Sequence, residues 1–189
     1  MPKNRRITEE MVLNAAAEIV RAEGTEALNV RSLAKALDCS TQPIYSIFKN
    51  MEGLWRALMG EAKAKYRKHI DDFLRQGGRS NYEAYGMGFV SFAKEEQGLF
   101  RYLFLSGKGT PDPFLDDIEG EMMTLYHMPE ETAAAFHADM AVFSFGLAVL
   151  VNKQADALSE EQIAEAFKRQ FYALYAFYFP NRERFWEKA

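Results

Sequence analysis

Residues 29–48 constrain the fold of this chain more than any other stretch of its 189 residues, because they hold the signals of two short helices. Asn29 precedes the first helix, predicted over 30–37, and Ser40 precedes the second, predicted over 41–48. Asn and Ser cap helices well, because their side-chain oxygens accept hydrogen bonds from free backbone N–H groups. We therefore predict two helices with a very short connection between them.

The connection between these helices has the composition of a tight turn. Asp38 tolerates the left-handed backbone that such a turn needs, though less well than Gly. Pro43 falls in the first turn of the second helix, where a missing N–H costs little. Ile44 and Phe48 recur at helical spacing and should face the interior. This arrangement is the helix-turn-helix pattern, in which the second helix enters the major groove of DNA.

The rest of the chain also repeats apolar residues at helical spacing, and no segment alternates as a strand would. With 6 Pro and 12 Gly, the chain has too few of both for a protein rich in strands and turns. We predict an all-α fold of about nine helices, with a three-helix N-terminal head and a helical C-terminal body. The predicted helices cover residues 8–23, 30–37, 41–48, 51–76, 81–96, 98–105, 112–127, 130–153 and 160–178.

The charges of the chain are unevenly spread. Residues 1–68 contain 12 Lys and Arg against 8 Asp and Glu, whereas residues 69–189 contain 11 against 19. The net charge of −4 is therefore the balance of a basic part and an acidic part. Such an asymmetry is typical of a nucleic-acid-binding head joined to an acidic body.

The sequence carries no signal for export or for membrane insertion. Cys39 is the single cysteine, which excludes a disulfide within the chain and gives no indication of an oxidising compartment. The basic N-terminus leads into Ile7-Thr8-Glu9-Glu10 rather than into the long apolar run of a signal peptide. The longest apolar stretch, 141–151, is too short to span a bilayer. We therefore expect a cytoplasmic protein with no membrane partner.

Residues 7–58 resemble the TetR family of transcriptional regulators. They share the first helix that closes at Gly24, the opening Val30-Arg31-Ser32-Leu33-Ala34, the recognition-helix core Ile44-Tyr45-Ser46-Ile47-Phe48 and the following Glu52-Gly53-Leu54. The resemblance implies a helix-turn-helix DNA-binding domain over residues 1–50 and a helical effector-binding and dimerisation domain over 51–189. It also implies a homodimer on a palindromic operator in double-stranded DNA, and a repressor that a small, apolar ligand releases from that operator.

Three positions depart from the pattern of the family. Asp38 stands where the family usually has Gly, and Ile47 stands where it usually has His or another polar residue. Met51 stands where the family usually has a Lys that holds a phosphate. Lys49 could replace the lost charge, or the contact is missing. These departures concern single backbone contacts rather than the fold.

The outward side of the recognition helix should contact DNA. Gln42 can pair with adenine, and Thr41 and Pro43 can touch a thymine methyl group. Positive side chains around this helix would add phosphate contacts, and the N-terminal arm, residues 3–6, either joins them or is a solvated tail. The predicted DNA-binding residues are Arg31, Thr41, Gln42, Pro43, Tyr45, Ser46 and Lys49.

The C-terminal body should bury some of its apolar faces against a second copy of the chain. Its last two predicted helices are apolar on more than one side, and the family resemblance places a two-fold, four-helix dimer interface there. The predicted interface residues are Phe145, Phe167, Phe171, Leu174 and Tyr178.

The Met-rich and aromatic middle of the chain is first of all core, but it would also suit an adaptable ligand cavity. The residues predicted to line it are Phe92, Phe100, Phe104, Met123, Tyr126, Met140 and Phe143.

Other functional classes fit the sequence less well. The alternative to a ligand-responsive regulator is a DNA-bound scaffold whose C-terminal domain binds a protein partner and has no small-molecule effector. An enzyme is disfavoured, because the sequence contains no glycine-rich phosphate loop, no nucleophile elbow and no nucleophile–base pair. His127 and His137 lack Cys or carboxylate partners at ligand spacing, so we predict no metal and no cofactor.

Overall fold

The computed structural model describes residues 6–107, 123–124 and 126–180, and in this part of the chain all regular elements are helices. The all-α prediction is confirmed. The helices with described bounds are α1 (Glu9–Glu23), α2 (Val30–Ala36), α3 (Thr41–Phe48), α4 (Met51–Arg75), α5 (Asn81–Glu95), α6 (Gln97–Phe100), α7 (Glu130–Lys153) and α8 (Glu160–Tyr178). A π-helical segment, Arg101–Leu105, continues α6. Most of the predicted helix 112–127 lies outside the described residues.

Local hydrogen bonds define the start of α2 as the sequence predicts. Asn29 Oδ1 accepts from the backbone N–H groups of Arg31 and Ser32, both at 3.0 Å. Ser32 Oγ accepts from the Asn29 backbone N–H in return, also at 3.0 Å, which completes a capping box. Asp38 then adopts a left-handed backbone, with φ of 49°, in the turn between α2 and α3. The tight turn is therefore built from local signals.

Ser40 differs from the prediction in one respect. It occupies the N-cap position of α3 with an extended backbone, but its side chain makes no capping hydrogen bond. An N-cap oxygen usually accepts from the second or third residue of the helix. The third residue of α3 is Pro43, which has no N–H to donate. The proline that suits the first turn therefore removes one of the two donors that Ser40 could use.

The chain forms two compact units, and each is described separately. The first comprises Met1–Lys68 and Glu96–Pro111, and the second comprises His69–Glu95 and Asp112–Ala189. The first unit thus extends beyond the predicted head, residues 1–50, because α6 packs against α1. A Cβ atom built on Gly98 would lie 2.3 Å from the carbonyl oxygen of Val20. Only glycine allows the two backbones to approach so closely.

The second unit is centred on α5, which packs against α7 and α8. Its core is aromatic and includes Phe89, Phe92 and Phe136, all fully buried. A buried polar contact also joins α7 to α5, where Asn152 Nδ2 donates to the Ala93 carbonyl oxygen at 2.9 Å. Burying an amide without such a bond would be unfavourable, so this contact specifies how the ends of the two helices meet.

Helix α7 is apolar on more than one side. Phe136, Met140 and Val151 are buried within the second unit, whereas Val142 and Leu150 are exposed on another side. By length and composition α7 is the one described helix that could cross a membrane, with a mean hydropathy of 1.8 in its most apolar window. Its buried His137, Ser144 and Asn152 show that one side of it packs inside a protein core.

Candidate functional site

Helix α3 is held to its unit by two side chains on one face. Ile44 and Phe48 are 2% and 9% exposed, as the helical spacing predicts. The opposite face presents Gln42, Tyr45 and Ser46 to solvent, and the Tyr45 side chain is 45% exposed. An apolar face therefore orients the helix, and a polar face with an amide, a phenol and a hydroxyl is left free of the core.

The remaining predicted DNA contacts surround this polar face. Thr41 and Pro43 are half-buried at the start of α3, and Arg31 is exposed at the start of α2. Lys49 is exposed just beyond α3, where its positive φ of 63° ends the helix. The structure thus places two positive side chains and several hydrogen-bonding groups around one short helix.

Ser46 has a local partner that limits its chemistry. Its Oγ donates a hydrogen bond to the Gln42 carbonyl oxygen at 3.0 Å, one turn earlier in α3. The hydroxyl proton is therefore used within the helix, and the oxygen is left as an acceptor. Gln42 keeps its side-chain amide for other partners, because the Ser46 bond involves only its backbone carbonyl.

Gly53 is a structural residue of this region whose role the sequence alone did not reveal. A Cβ atom on Gly53 would lie 2.4 Å from the backbone oxygen of Phe48, the last residue of α3. The Gly53 N–H donates to Asn50 Oδ1 at 2.8 Å, which caps α4. The first turn of α4 thus lies directly against the end of α3. A glycine two residues into a helix, right after a recognition helix, is the signal that could have indicated this contact.

The residues predicted to line a ligand cavity do not all lie together. Phe100 and Phe104 pack on each other in the first unit, with ring centroids 5.0 Å apart, whereas Phe92 is fully buried in the second. Phe143 packs edge-on against Phe167, and Met123 is 38% exposed. Tyr126 and Met140, by contrast, do line one cavity of the second unit.

That cavity has a volume of about 370 Å³. Its most buried lining residues are Tyr82, Met140 and Phe167, all below 10% exposure. The Tyr82 hydroxyl lies 3.4 Å from His137 Nδ1. Burial, helped by the nearby Tyr126, raises the pKa of Tyr82 well above its ordinary value, so its phenol is neutral at physiological pH. The full lining is Ser80, Tyr82, Glu83, Tyr126, Met140, Ala164, Glu165, Phe167, Lys168, Phe171 and Tyr172.

The predicted dimer-interface residues make contacts inside their own unit. Phe167 is 4% exposed, and Phe171 packs against the rings of Tyr126 and Phe136, with centroids 5.1 and 5.2 Å away. The others are half-buried: Phe145 stacks on Phe89, Tyr178 donates from its hydroxyl to Asp139 at 2.8 Å, and Leu174 lies one turn before Tyr178 in α8. The exposed large apolar side chains of α7 and α8 are Val142, Leu150 and Phe177.

His137 is a buried core residue, whereas His127 is exposed just before α7. The described residues contain no group of three His, Cys, Asp or Glu side chains that could hold a metal ion.

Comparisons with known proteins bear on the fold. No family model matches the sequence, and no curated protein matches it by sequence. The crystal structure of a transcriptional regulator from Rhodococcus sp. Rha1 is similar to this chain with a TM-score of 0.57. The likeness covers 90% of this chain and 97% of that one at 16% sequence identity. The chain therefore shares the fold of a transcriptional regulator, and membership of the TetR family stays a prediction.

Proposed function

We propose that this chain is a DNA-binding transcriptional regulator whose α3 reads the major groove. Helix α3 supports this proposal because one of its faces is apolar and buried and the other is polar and exposed. Ile44 and Phe48 anchor one face in the core, and the other face presents Gln42 and Tyr45 to solvent. Amide and phenol groups on an exposed helix after a tight turn are suited to base-edge and phosphate contacts.

Two further observations support this proposal. The regulator from Rhodococcus sp. Rha1 has the same overall fold along nearly its whole length. The basic balance of residues 1–68, set against an acidic remainder, would draw the helix-turn-helix rather than the body toward phosphates. In this proposal the protein acts in the cytoplasm and is not an enzyme.

We propose a homodimer formed by α7 and α8. A helix that is apolar on more than one side needs a second surface to cover it, and α7 exposes Val142, which is 76% exposed, opposite its buried face. Phe177 of α8 is 74% exposed. A two-fold four-helix contact would cover such side chains and set two α3 helices on the half-sites of a palindrome. In this proposal the exposed Val142 and Phe177, rather than Phe167 and Phe171, lie at the centre of the interface.

We further propose that a small molecule in the cavity of the second unit regulates DNA binding, as an effector that releases a repressor. A ligand can do this only by binding better to a conformation whose two DNA heads do not fit both half-sites. Helix α4 is the proposed link, because residues 51–68 of this continuous helix belong to the first unit and residues 69–75 to the second.

The decisive experiment is selection of bound duplexes from a random pool by the purified full-length chain. We expect a palindromic site, with affinity that falls steeply as salt rises because each head neutralises several phosphates. Absence of any preference over random duplex at physiological salt would contradict the proposal. A protein that selects a site but binds no small molecule would instead favour the scaffold alternative.

A further inference from the structure

We propose that the cavity of the second unit takes a lipophilic organic cation. This inference rests on the proposed function only for its regulatory meaning, since the binding itself follows from the lining. Nearly half of that lining is aromatic: Tyr82, Tyr126, Phe167, Phe171 and Tyr172. The faces of such rings are electron-rich and attract cations, most strongly where water is excluded.

The aromatic wall is held in place by its own contacts. Phe171 lies at its centre, with the Tyr126 ring 5.1 Å and the Tyr82 ring 6.3 Å away, centroid to centroid. Phe167 packs edge-on against Phe143 at 5.7 Å, outside the cavity. Because these rings are already ordered, a ligand would meet a largely preformed surface and would lose little free energy to side-chain ordering.

The charged side chains of the lining favour a positive ligand. Glu83 and Glu165 contribute two carboxylates, and Lys168 contributes one ammonium group. Arg79 lies 3.6 Å from the Glu83 carboxylate but also donates to Glu160 at 3.2 Å, so its charge is shared between two acids. The charge of the whole second unit also favours a cation, because its described residues contain 11 Asp and Glu against 6 Lys and Arg.

The same lining disfavours the other ligand classes. An anion at Lys168 would face two carboxylates in a domain of negative charge, where like charges repel. A purely apolar molecule would cover Glu83, Glu165 and Ser80 without replacing their hydrogen bonds to water, which costs free energy. A cation on an aromatic body avoids both costs, since its charge meets the carboxylates and rings while its apolar part meets Met140 and Phe167. The cavity therefore suits an amphipathic cation better than the apolar ligand that the family resemblance implies.

The test uses two rigid aromatic ions of nearly the same size and shape, tetraphenylphosphonium and tetraphenylborate. Each is titrated by calorimetry into the full-length protein without DNA. We expect the phosphonium ion to bind at least about tenfold more tightly than the borate ion, because only the sign of the charge differs. Tighter binding of the borate ion, equal binding of both ions, or binding of neither would overturn the proposal.

Three variants assign the effect to this cavity, each checked for an unchanged thermal unfolding midpoint. Glu165→Gln should weaken phosphonium binding roughly three- to tenfold, and Lys168→Gln should strengthen it, because the two changes alter the local charge in opposite directions. Glu161→Gln is the matched control, since Glu161 is exposed on the same helix but does not line the cavity. Equal affinities in all three variants would place the cation elsewhere and overturn the assignment.

The cation-binding test and the duplex-selection test can succeed or fail independently of each other. A protein that selects a palindromic duplex but binds neither ion retains its DNA-binding role and loses this inference. A protein that binds phosphonium through Glu165 but prefers no duplex keeps the site and contradicts the regulatory proposal. Where both bindings occur, a saturating concentration of the phosphonium ion should weaken duplex binding, typically 5- to 150-fold for coupled sites.

Discussion

Arg21 and Glu96 join parts of the first unit that lie 75 residues apart in the sequence: Arg21 Nε donates to Glu96 Oε2 at 2.7 Å. Lys65 Nζ of α4 lies 2.5 Å from the other oxygen of the same carboxylate. Arg21 also pairs with Glu18 one turn earlier in α1. One carboxylate therefore connects α1 and α4 to the residue just before α6, which places Glu96 at a junction of three helices.

Glu96→Gln should destabilise the protein mainly above pH 5. Burial opposes ionisation of this carboxyl, but hydrogen bonds from Lys65 and Arg21 outweigh it and lower its pKa below the ordinary value. Its contribution to stability is thus present above the pKa of an unfolded Glu and is lost as the pH falls through the lowered folded value. We expect a loss of roughly 1–3 kcal/mol at pH 7 that shrinks toward pH 3, measured by urea unfolding. Glu61→Gln, an exposed change in α4, is the control, and an equal effect at both pH values would contradict the role of ionised Glu96.

Gly53→Ala and Gly60→Ala form a matched pair within α4. A Cβ on Gly53 would lie 2.4 Å from the Phe48 carbonyl oxygen, whereas a Cβ on Gly60 would meet nothing within 4 Å. We expect Gly53→Ala to lower the free energy of unfolding by roughly 1–3 kcal/mol through overpacking. Gly60→Ala should raise it by about 0.5–1 kcal/mol, because alanine is the better helix former. Thermal unfolding of both variants measures the difference, and similar midpoints would show that the α3–α4 contact relaxes easily.

Gln42→Ala and Lys49→Ala should separate base recognition from phosphate binding. Loss of the Gln42 amide should relax the preference at one position of each half-site, at a cost of about 1–3 kcal/mol per contact. Loss of the Lys49 charge should weaken binding to all duplexes alike and reduce its salt dependence. Lys63→Ala, an exposed lysine of α4, is the control for charge alone. The measurement is binding to the selected duplex and to single-base variants of it, and identical profiles for the Gln42 and Lys49 variants would refute this division of roles.

Phe177→Glu and Phe171→Glu should fail in different ways. Phe177 is 74% exposed, so a charge there leaves the isolated chain folded but must be desolvated in an apolar dimer interface, which costs several kcal/mol. We expect a folded monomer by analytical ultracentrifugation. Phe171 contacts five rings of its own unit, so Phe171→Glu should instead lower the unfolding midpoint. A Phe177→Glu dimer of unchanged affinity would exclude this face as the interface.

The head of the molecule could be predicted from the sequence because its signals are local. The Asn29 capping box, the left-handed Asp38 and the Ile44–Phe48 anchor each depend on residues within about one helical turn. Such short-range preferences can be recognised without knowing any tertiary contact. The exception is Ser40, whose side chain makes no capping bond; Pro43 removes one of the two backbone donors that it could use.

The assignment of aromatic residues to core, cavity or interface required the tertiary structure. Helical spacing places Phe143, Phe167 and Phe171 on apolar faces, but a helix that is apolar on several sides does not reveal which neighbour covers each side. The structure turns Phe167 and Phe171 toward the interior of their own unit and leaves Val142 and Phe177 exposed.

Contacts between residues far apart in the chain could not be predicted from the sequence either. Nothing near Glu96 in the chain indicates that Arg21 and Lys65 will converge on it, and nothing near Gly98 indicates the Val20 carbonyl against which it packs. Sequence periodicity reports which face of a helix is apolar, because that is a property of one segment. Which segments meet depends on the packing of all of them together, and only the folded chain decides it.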